Sequence, residues 1–262
     1  MAGRPAEPAS AAITTKPDYG IDAPGVVRNL YLAFAAGIGV FATARSGLWS
    51  GVAFHVDFAN LGLFGGLGCG LMGTWMLYDS MVGKVRERER LLDLVELRGT
   101  DHVLDVGCGR GLLLIGAARR LTTGRATGID LWSSVDLSGN TAAATLENAR
   151  RESVAERVHV ETGDMRRMPF ADATFDVVVS NAAIHNISDR EGRNTAIREI
   201  GRVLKVGGRL VINDIRHVDQ YAAELTKLGF AQVTRRGSAA LRWFLMLVTW
   251  GALRPDILTA RR

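Results

Sequence analysis

Hydrophobic and polar positions alternate in blocks over the last two thirds of the chain. Short apolar runs typical of buried strands are separated by longer segments whose apolar residues recur at helical spacing. The predicted strands are HVLDVG (102–107), RATGID (125–130), RVHVETGD (157–164), FDVVVSNAAI (175–184), VGGRLVINDI (206–215), AQVTRRG (231–237) and DILTARR (256–262). This alternation predicts an α/β fold with a doubly wound, mainly parallel, seven-stranded sheet.

The first third of the chain has a different pattern, with two long uncharged runs. Residues 29–44 form a run of 16 residues and residues 58–78 a run of 21, and the second is long enough for a membrane-spanning helix. Gly62, Gly66 and Gly70 repeat at every fourth position, as do Ala35 and Gly39, and such faces let two helices approach closely. We predict a transmembrane helical hairpin; the alternative is a buried hairpin packed on the soluble domain.

The residues around these runs suggest an orientation and a domain division. Basic residues flank the outer ends of both runs, whereas Arg45 is the only lysine or arginine in the loop between them, 45–57. This asymmetry predicts that both ends are cytoplasmic. Trp49, Trp75 and Tyr78 lie near the predicted interfaces. We therefore expect a disordered lead (1–25), an apolar helical hairpin serving as membrane anchor (26–80) and a catalytic domain (81–262) on the cytoplasmic side.

Charge and cysteine content narrow the functional classes. The net charge of +5 is carried without a dense basic face interleaved with aromatics, so we expect no nucleic-acid partner. The two cysteines, Cys69 and Cys108, form no CxxC motif, and we expect neither a disulfide framework nor a metal site. Oligomeric state has no signal in the sequence.

A glycine-rich loop follows the first predicted strand, in VLDVGCGRG (103–111). Its spacing is GxGxG rather than the GxGxxG of a dinucleotide fingerprint. Asp105 ends the strand, and Asp130 ends the next strand, 19 residues after Gly111. A carboxylate at that place can accept hydrogen bonds from both hydroxyls of a ribose. Ligands of such sheets bind at the carboxyl ends of the strands.

These motifs, together with GID (128–130), GDMRRMPFADATFDVVVSNAAIH (163–185) and REIGRVLKVGGRLVI (198–212), resemble the class I S-adenosylmethionine-dependent methyltransferases. The likeness is to the small-molecule branch that includes ubiquinone and menaquinone methyltransferases, and it covers roughly residues 85–235. It implies a Rossmann-like fold and S-adenosyl-L-methionine as cofactor. The cofactor-binding positions that it implies are Asp105, Gly107, Cys108, Gly109, Gly111, Asp130, Leu131, Trp132, Asp164, Met165, Ser180 and Asn181.

The resemblance also assigns roles to these positions. The methionine moiety is lined by Asp105, Gly107, the backbone of Cys108 and Gly109. Asp130 holds the ribose, Leu131 or Trp132 packs on the adenine, and residues 164–165 bind the adenine edge. Ser180 or Asn181 meets the amino-acid end. Gly111 serves either the ligand or the packing of the helix on the strand. Where the acceptor must lose a proton, His185 is the candidate general base, with a structural role as the alternative, and His217 is a second candidate.

Two segments depart from the family pattern or extend it. Residues 132–140, WSSVDLSGN, are an insertion in which Trp132, Asp136 and Asn140 either shape a pocket or form a longer capped turn. The C-terminal segment 241–255 is apolar and either covers the acceptor pocket, rests in a membrane interface through Trp243, Phe244 and Trp250, or is core.

Three functions are compatible with these motifs. The first is a methyltransferase of a small, apolar or membrane-associated acceptor such as a lipid or quinone. The second is a methyltransferase of a soluble small molecule, with the hairpin as tether or lid. The third is a non-catalytic scaffold that binds the cofactor.

Overall fold

The structure is a computed structural model that describes residues 16–46, 57–249 and 253–262. The described helices are α1 Pro24–Arg45, α2 Phe58–Tyr78, α3 Lys84–Asp93, α4 Leu112–Arg120, α5 Ala142–Arg151, α6 Arg190–Val203, α7 Val218–Lys227 and α8 Ala239–Val248. The strands are β1 His102–Val106, β2 Arg125–Asp130, β3 Val158–Thr162, β4 Phe175–Asn181, β5 Leu204–Asp214, β6 Ala231–Arg235 and β7 Asp256–Arg261.

The seven strands form one sheet in the order β3-β2-β1-β4-β5-β7-β6. Neighbouring strands from β3 to β5 pair in parallel, and β7 runs antiparallel to both β5 and β6. The predicted Rossmann-like, mainly parallel sheet of seven strands is confirmed. The strand order reverses between β1 and β4, which places the topological switch point at the loops after these two strands.

Helices cover both faces of the sheet, so the central strands are buried on both sides. Along β4, Val177 and Val179 pack in the core with α3 and α4, whereas Val178 packs in the core with α6 and α7. Successive side chains of a strand point to opposite faces, and a strand covered on both faces therefore reads as a continuous apolar run. This explains the sequence FDVVVS and fixes the sheet that carries the candidate site.

Helices α1 and α2 pack against each other through glycines. A Cβ atom at Gly37 would lie 2.5 Å from the carbonyl oxygen of Gly62, and one at Gly66 would lie 3.1 Å from that of Phe34. The predicted glycine face of α2 does contact α1. The partner on α1 is Gly37, however, not Gly39, which has open space around its Cβ position.

Both helices of the hairpin pass the length and composition test for crossing a bilayer, and α2 continues through a π-helical turn at Asp79–Gly83 into α3. Large apolar side chains on α2 are exposed, including Phe64 at 68% and Leu71 at 72%. Trp75 and Tyr78 stack loosely, with ring centroids 6.2 Å apart. The connecting loop with Trp49 lies outside the described residues.

The chain before α1 is attached to the domain. Tyr19 is buried and donates a hydrogen bond to Glu152, while the Lys84 ammonium donates to the carbonyl oxygens of Tyr19 and Gly20 at 2.9 and 2.7 Å. The main chain of residues 21–23 bonds to residues 136–138 of the insertion. Residues 16–23 belong to the predicted disordered lead, and the structure differs from that expectation because they fill a groove between α3, α5 and the insertion.

The C-terminal apolar segment forms α8, which links β6 to β7. Because β6 runs parallel to β5 and Asp256 of β7 pairs with Asp214 of β5, α8 lies at the carboxyl edge of the sheet. Trp243 and Leu247 are 62% and 79% exposed, so these side chains are not core. The side chain of Phe244 and all of Trp250, which the sequence suggested as interface residues, lie outside what the structure describes.

Candidate functional site

The loop between β1 and α4, residues 107–111, turns sharply at the switch point. Gly107 has φ +73°, and a Cβ there would overlap the Cβ of Ala183 in the loop after β4. Only glycine fits such a contact, because a side chain would clash and an L-residue disfavours this φ. A Cβ on Gly111 would instead meet Ile115 and Thr145, which favours a packing role for that glycine.

The amide groups of this loop are largely engaged within the protein. Gly107 and Cys108 donate to the carbonyl oxygen of Ile129, Gly109 donates to the carboxylate of Asp130, and Gly111 donates to the carbonyl oxygen of Cys108. A phosphate-binding loop aims several free N–H groups at its ligand. Four of the five amides here are already satisfied, so the loop suits a ligand that has no phosphate.

Asp130, at the end of β2, ties the glycine loop to the insertion. One carboxylate oxygen accepts from the Gly109 amide at 2.8 Å, and the other accepts from the Trp132 amide at 2.6 Å and from Asn140 Nδ2 at 3.2 Å. The side-chain oxygen of Asn140 is buried and has no hydrogen-bond partner among the described residues. A buried acceptor without a donor beside a carboxylate is a place where a water molecule or a ligand hydroxyl can donate a hydrogen bond.

The insertion shapes this edge of the site rather than forming only a capped turn. Trp132 has φ +61°, and its indole nitrogen donates to Thr162 at the end of β3. Leu131 is exposed beside it. The cap of α5 is Thr141, whose hydroxyl accepts from the Ala144 amide, and the side chains of Ser138 and Asn140 do not cap this helix. Those two side chains contact the N-terminal segment and Asp130 instead.

Asp105 lies beneath the glycine loop and is almost fully buried. It accepts a hydrogen bond from the Leu114 amide at 2.8 Å, at the start of α4. Burial raises the pKa of Asp105 to about 8, and the nearby charge of Asp130 contributes to the rise. Burial also raises the pKa of the Cys108 thiol, which therefore serves as packing. The neighbouring Asp130 carboxylate, and Asp105 once it loses its proton, favour a ligand that carries positive charge.

The end of β3 brings one of its two predicted residues to the loop. The Met165 methyl carbon lies 3.5 Å from the position that a Cβ on Gly107 would take. The Asp164 carboxylate is bound by the Arg166 guanidinium and amide, and the hydrogen bonds from Arg166 lower its pKa. Asp164 therefore stays charged at the rim, and only a ligand that competes with Arg166 reaches it.

The end of β4 holds the remaining predicted residues. The Ser180 hydroxyl is buried and donates to the carbonyl oxygen of Val106 at 2.8 Å, which joins β4 to β1. The side-chain oxygen of Asn181 accepts from Asn213 on β5 at 2.8 Å. Ser180 thus stabilises the switch point from within, while Asn181 lies at its edge.

His185 is held in one orientation by Asp214. Its Nδ1 lies 2.5 Å from one carboxylate oxygen, and its amide donates to the other at 3.0 Å. The Tyr221 hydroxyl also donates to this buried carboxylate. A carboxylate bound to Nδ1 places the proton on that nitrogen and leaves the lone pair on Nε2.

The pairing of His185 with Asp214 was not predicted from the sequence, although VINDI offered a signal, an acidic residue at the carboxyl end of an apolar strand. His217, the second candidate base, lies at the start of α7 with φ +62°. Its pKa is lowered mainly by burial and further by the positive charge of Arg193. In the described part of the chain, no group of three or more His, Cys, Asp or Glu residues is arranged to hold a metal ion.

Part of the chain is similar to known proteins. Residues 104–212 match the family described as a methyltransferase domain. The 27-O-demethylrifamycin SV methyltransferase of Amycolatopsis mediterranei is 33% identical over 129 residues, 49% of this chain and 44% of that protein. The demethylmenaquinone methyltransferase of Lactiplantibacillus plantarum is 32% identical over 134 residues, 51% of this chain and 53% of that protein. The chain thus spans about half the length of the curated relatives it matches.

Solved structures support the same fold. The [4+2]-cyclase SpnF aligns with a TM-score of 0.54 and 23% identity, over 68% of this chain and 81% of that one. Geranyl diphosphate C-methyltransferase from Streptomyces coelicolor aligns with a TM-score of 0.54 and 19% identity, over 68% of this chain and 80% of that one. That structure was solved with Mg²⁺, geranyl diphosphate and S-adenosyl-L-homocysteine. At these identities the likeness concerns the fold alone.

Proposed function

We propose that this chain, whose residues 104–212 match the family described as a methyltransferase domain, is an S-adenosylmethionine-dependent methyltransferase acting on a small, membrane-associated acceptor. One observation supports the cofactor above the others. Four of the five amides of the glycine loop donate hydrogen bonds within the protein, and the carboxyl groups of Asp105 and Asp130 lie beside the loop. A dinucleotide would find few free donors for its phosphates there, whereas S-adenosylmethionine has no phosphate and carries positive charge.

The residues at the switch point fit the parts of this cofactor. Asp130 and the unpartnered oxygen of Asn140 are acceptors for the ribose hydroxyls. Leu131 or Trp132 would pack on the adenine, and Met165 would contact its edge. Residues 105–109 would hold the methionine moiety, and the absence of a side chain on Gly107 would let it approach the backbone. Asp164, Ser180 and Asn181 are proposed at the ends of the ligand.

S-adenosylmethionine supplies an electrophilic methyl group bound to a sulfonium. The acceptor atom forms a bond to the methyl carbon as the carbon–sulfur bond breaks, and holding it about 3–3.5 Å away provides much of the acceleration. An acceptor that must lose a proton transfers it to Nε2 of His185, which Asp214 orients. The structural role of His185, holding the loop after β4, is compatible with this one.

The hairpin supports a membrane-associated acceptor. Its exposed apolar side chains, among them Phe64 and Leu71, are not covered by the catalytic domain, as they would be in a packed lid. The exposed basic residues Arg28, near the start of α1, and Arg86, after α2, lie where we propose that the helices leave the bilayer. We place the catalytic domain on the cytoplasmic side on this basis. Because the segment before α1 binds the insertion beside Asp130, the anchor holds the site close to the bilayer surface.

The experiment that tests the function is transfer of labelled methyl groups. Full-length protein in neutral detergent is incubated with methyl-labelled S-adenosylmethionine and a host-cell extract, which is then split into organic and aqueous phases. We expect label in the organic phase. Label confined to the aqueous phase would indicate a soluble acceptor with the hairpin as tether, and cofactor binding without transfer would indicate a scaffold.

A further inference from the structure

A cavity lined by arginines opens beside the end of β5, between the first turns of α6 and α7. Its volume is about 710 Å³. We call it the arginine cavity and define it by Arg190, Arg193, Arg216, His217 and Arg254. None of these arginines belongs to the cofactor site described above.

The positive charges of the cavity are not neutralised by the protein. Among the described residues, none of the four arginines forms an ion pair with a carboxylate. The acidic residue in the lining, Asp219, is paired with Arg235. Unpaired guanidinium groups around one cavity repel each other and create a field that attracts an anion.

The cavity is also built for binding rather than being a loose surface patch. Arg193 is buried and fixed by bonds to Gln220 and to the carbonyl oxygens of Ile187 and Ser188. His217 stands at φ +62° before α7 and makes no side-chain cap. The positive end of that helix therefore adds to the field of the arginines.

The place of the cavity links it to the reaction. It begins at the loop that follows Asp214, and Asp214 is the residue that orients His185. A group bound by Arg216 would therefore lie beside the proposed proton acceptor. Several guanidinium groups match the multiple oxygens and charges of a phosphate better than a single carboxylate does.

We propose that the arginine cavity binds a phosphate or diphosphate group of the methyl acceptor. This inference rests on the proposed function and adds to it that the membrane-associated acceptor carries an anionic head, which the cavity binds. The phosphate belongs either to a soluble phosphate ester or to a lipid headgroup.

Calorimetric titration of the full-length protein in neutral detergent tests the proposal. The protein, saturated with S-adenosylhomocysteine, is titrated with inorganic pyrophosphate and, separately, with the short-chain lipid dihexanoyl phosphatidylglycerol. The variant is Arg216→Ala with Arg254→Ala, two exposed side chains of the lining. The matched control is Arg150→Ala, an exposed arginine of α5 remote from the cavity.

We expect one of the two probes to bind the wild type and the control alike, and to bind the double variant about tenfold more weakly or worse. Preference for pyrophosphate supports a phosphate ester, and preference for the lipid supports a headgroup. Binding of neither probe, or equal binding to wild type and double variant, overturns the proposal. The cofactor titration is read separately, so failure to bind S-adenosylhomocysteine would refute the proposed function and not the anion site.

Discussion

Proton release on cofactor binding is the sharpest consequence of the buried carboxyl group under the glycine loop. With a pKa of about 8, raised by burial, Asp105 is about nine-tenths protonated at pH 7 in the free protein. The cofactor brings a cationic ammonium group to residues 105–109, and a positive charge nearby lowers the pKa of a carboxyl group. A fall of about two units corresponds to about 3 kcal/mol, the scale of one partly buried ion pair.

The predicted result is the release of about 0.5–0.9 proton when S-adenosylhomocysteine binds at pH 7, and binding that tightens as the pH rises toward 8. Calorimetry in buffers with different ionisation enthalpies measures this number directly. Asp105→Asn should abolish the release. Asp176→Asn is the control, because this aspartate lies at the start of β4, away from the glycine loop. Burial raises its pKa, but its hydrogen bonds, including the one from Lys205, and nearby positive charges together outweigh burial and keep the pKa low.

Equal proton release in wild type and Asp105→Asn, or no release in the wild type, would refute this assignment. The pH dependence of the unliganded protein's stability independently tests the direction of the Asp105 pKa shift. A carboxyl group with a raised native pKa stabilises the fold below its unfolded pKa, and this contribution is lost as the pH rises through about 8. The free energy of unfolding of the wild type in denaturant should therefore fall between about pH 4 and pH 8, and Asp105→Asn should show less of this decline.

Three further substitutions test the loop, the base and the anchor. Gly107→Ala should weaken S-adenosylhomocysteine binding about tenfold or more, because the new side chain clashes with Ala183. Gly207→Ala, at φ +77° in open space, should cost only about 1 kcal/mol of stability in denaturant unfolding. Equal losses of S-adenosylhomocysteine affinity in the two variants would contradict the clash. His185→Ala should lower methyl transfer about 10²–10³-fold without changing cofactor affinity, and unchanged rates across pH would show a structural role. Leu71→Arg should reduce retention of the protein in alkali-washed membranes, because an arginine at the centre of a spanning helix costs about 2.5–3.5 kcal/mol; full retention would argue against a span.

Much of the fold follows from local pattern in the sequence. Continuous apolar runs such as 177–179 identify strands covered on both faces. The glycine loop identifies the switch point, because Gly107 leaves no room for a side chain. Asp105 and Asp130 could also be found from the sequence, because they are acidic residues at the ends of consecutive predicted strands.

Features that depend on contacts between distant residues could not be predicted. Asp214 joins His185 from 29 positions away, and Tyr19 reaches Glu152 across 133. Gly37 rather than Gly39 meets α2, because the rotation of one helix against another is set by packing and not by the spacing of small residues alone. The arginine cavity gathers residues from the first turn of α6, the loop after β5 and the loop before β7, and no local pattern marks them as neighbours.

Equilibrium dialysis of labelled S-adenosylmethionine against the full-length protein tests the central claim most directly. We predict saturable binding of one molecule per chain, displaced by S-adenosylhomocysteine and not by NAD, because the amides of the loop are already used. Absence of saturable binding, or displacement by NAD at comparable concentration, would contradict it.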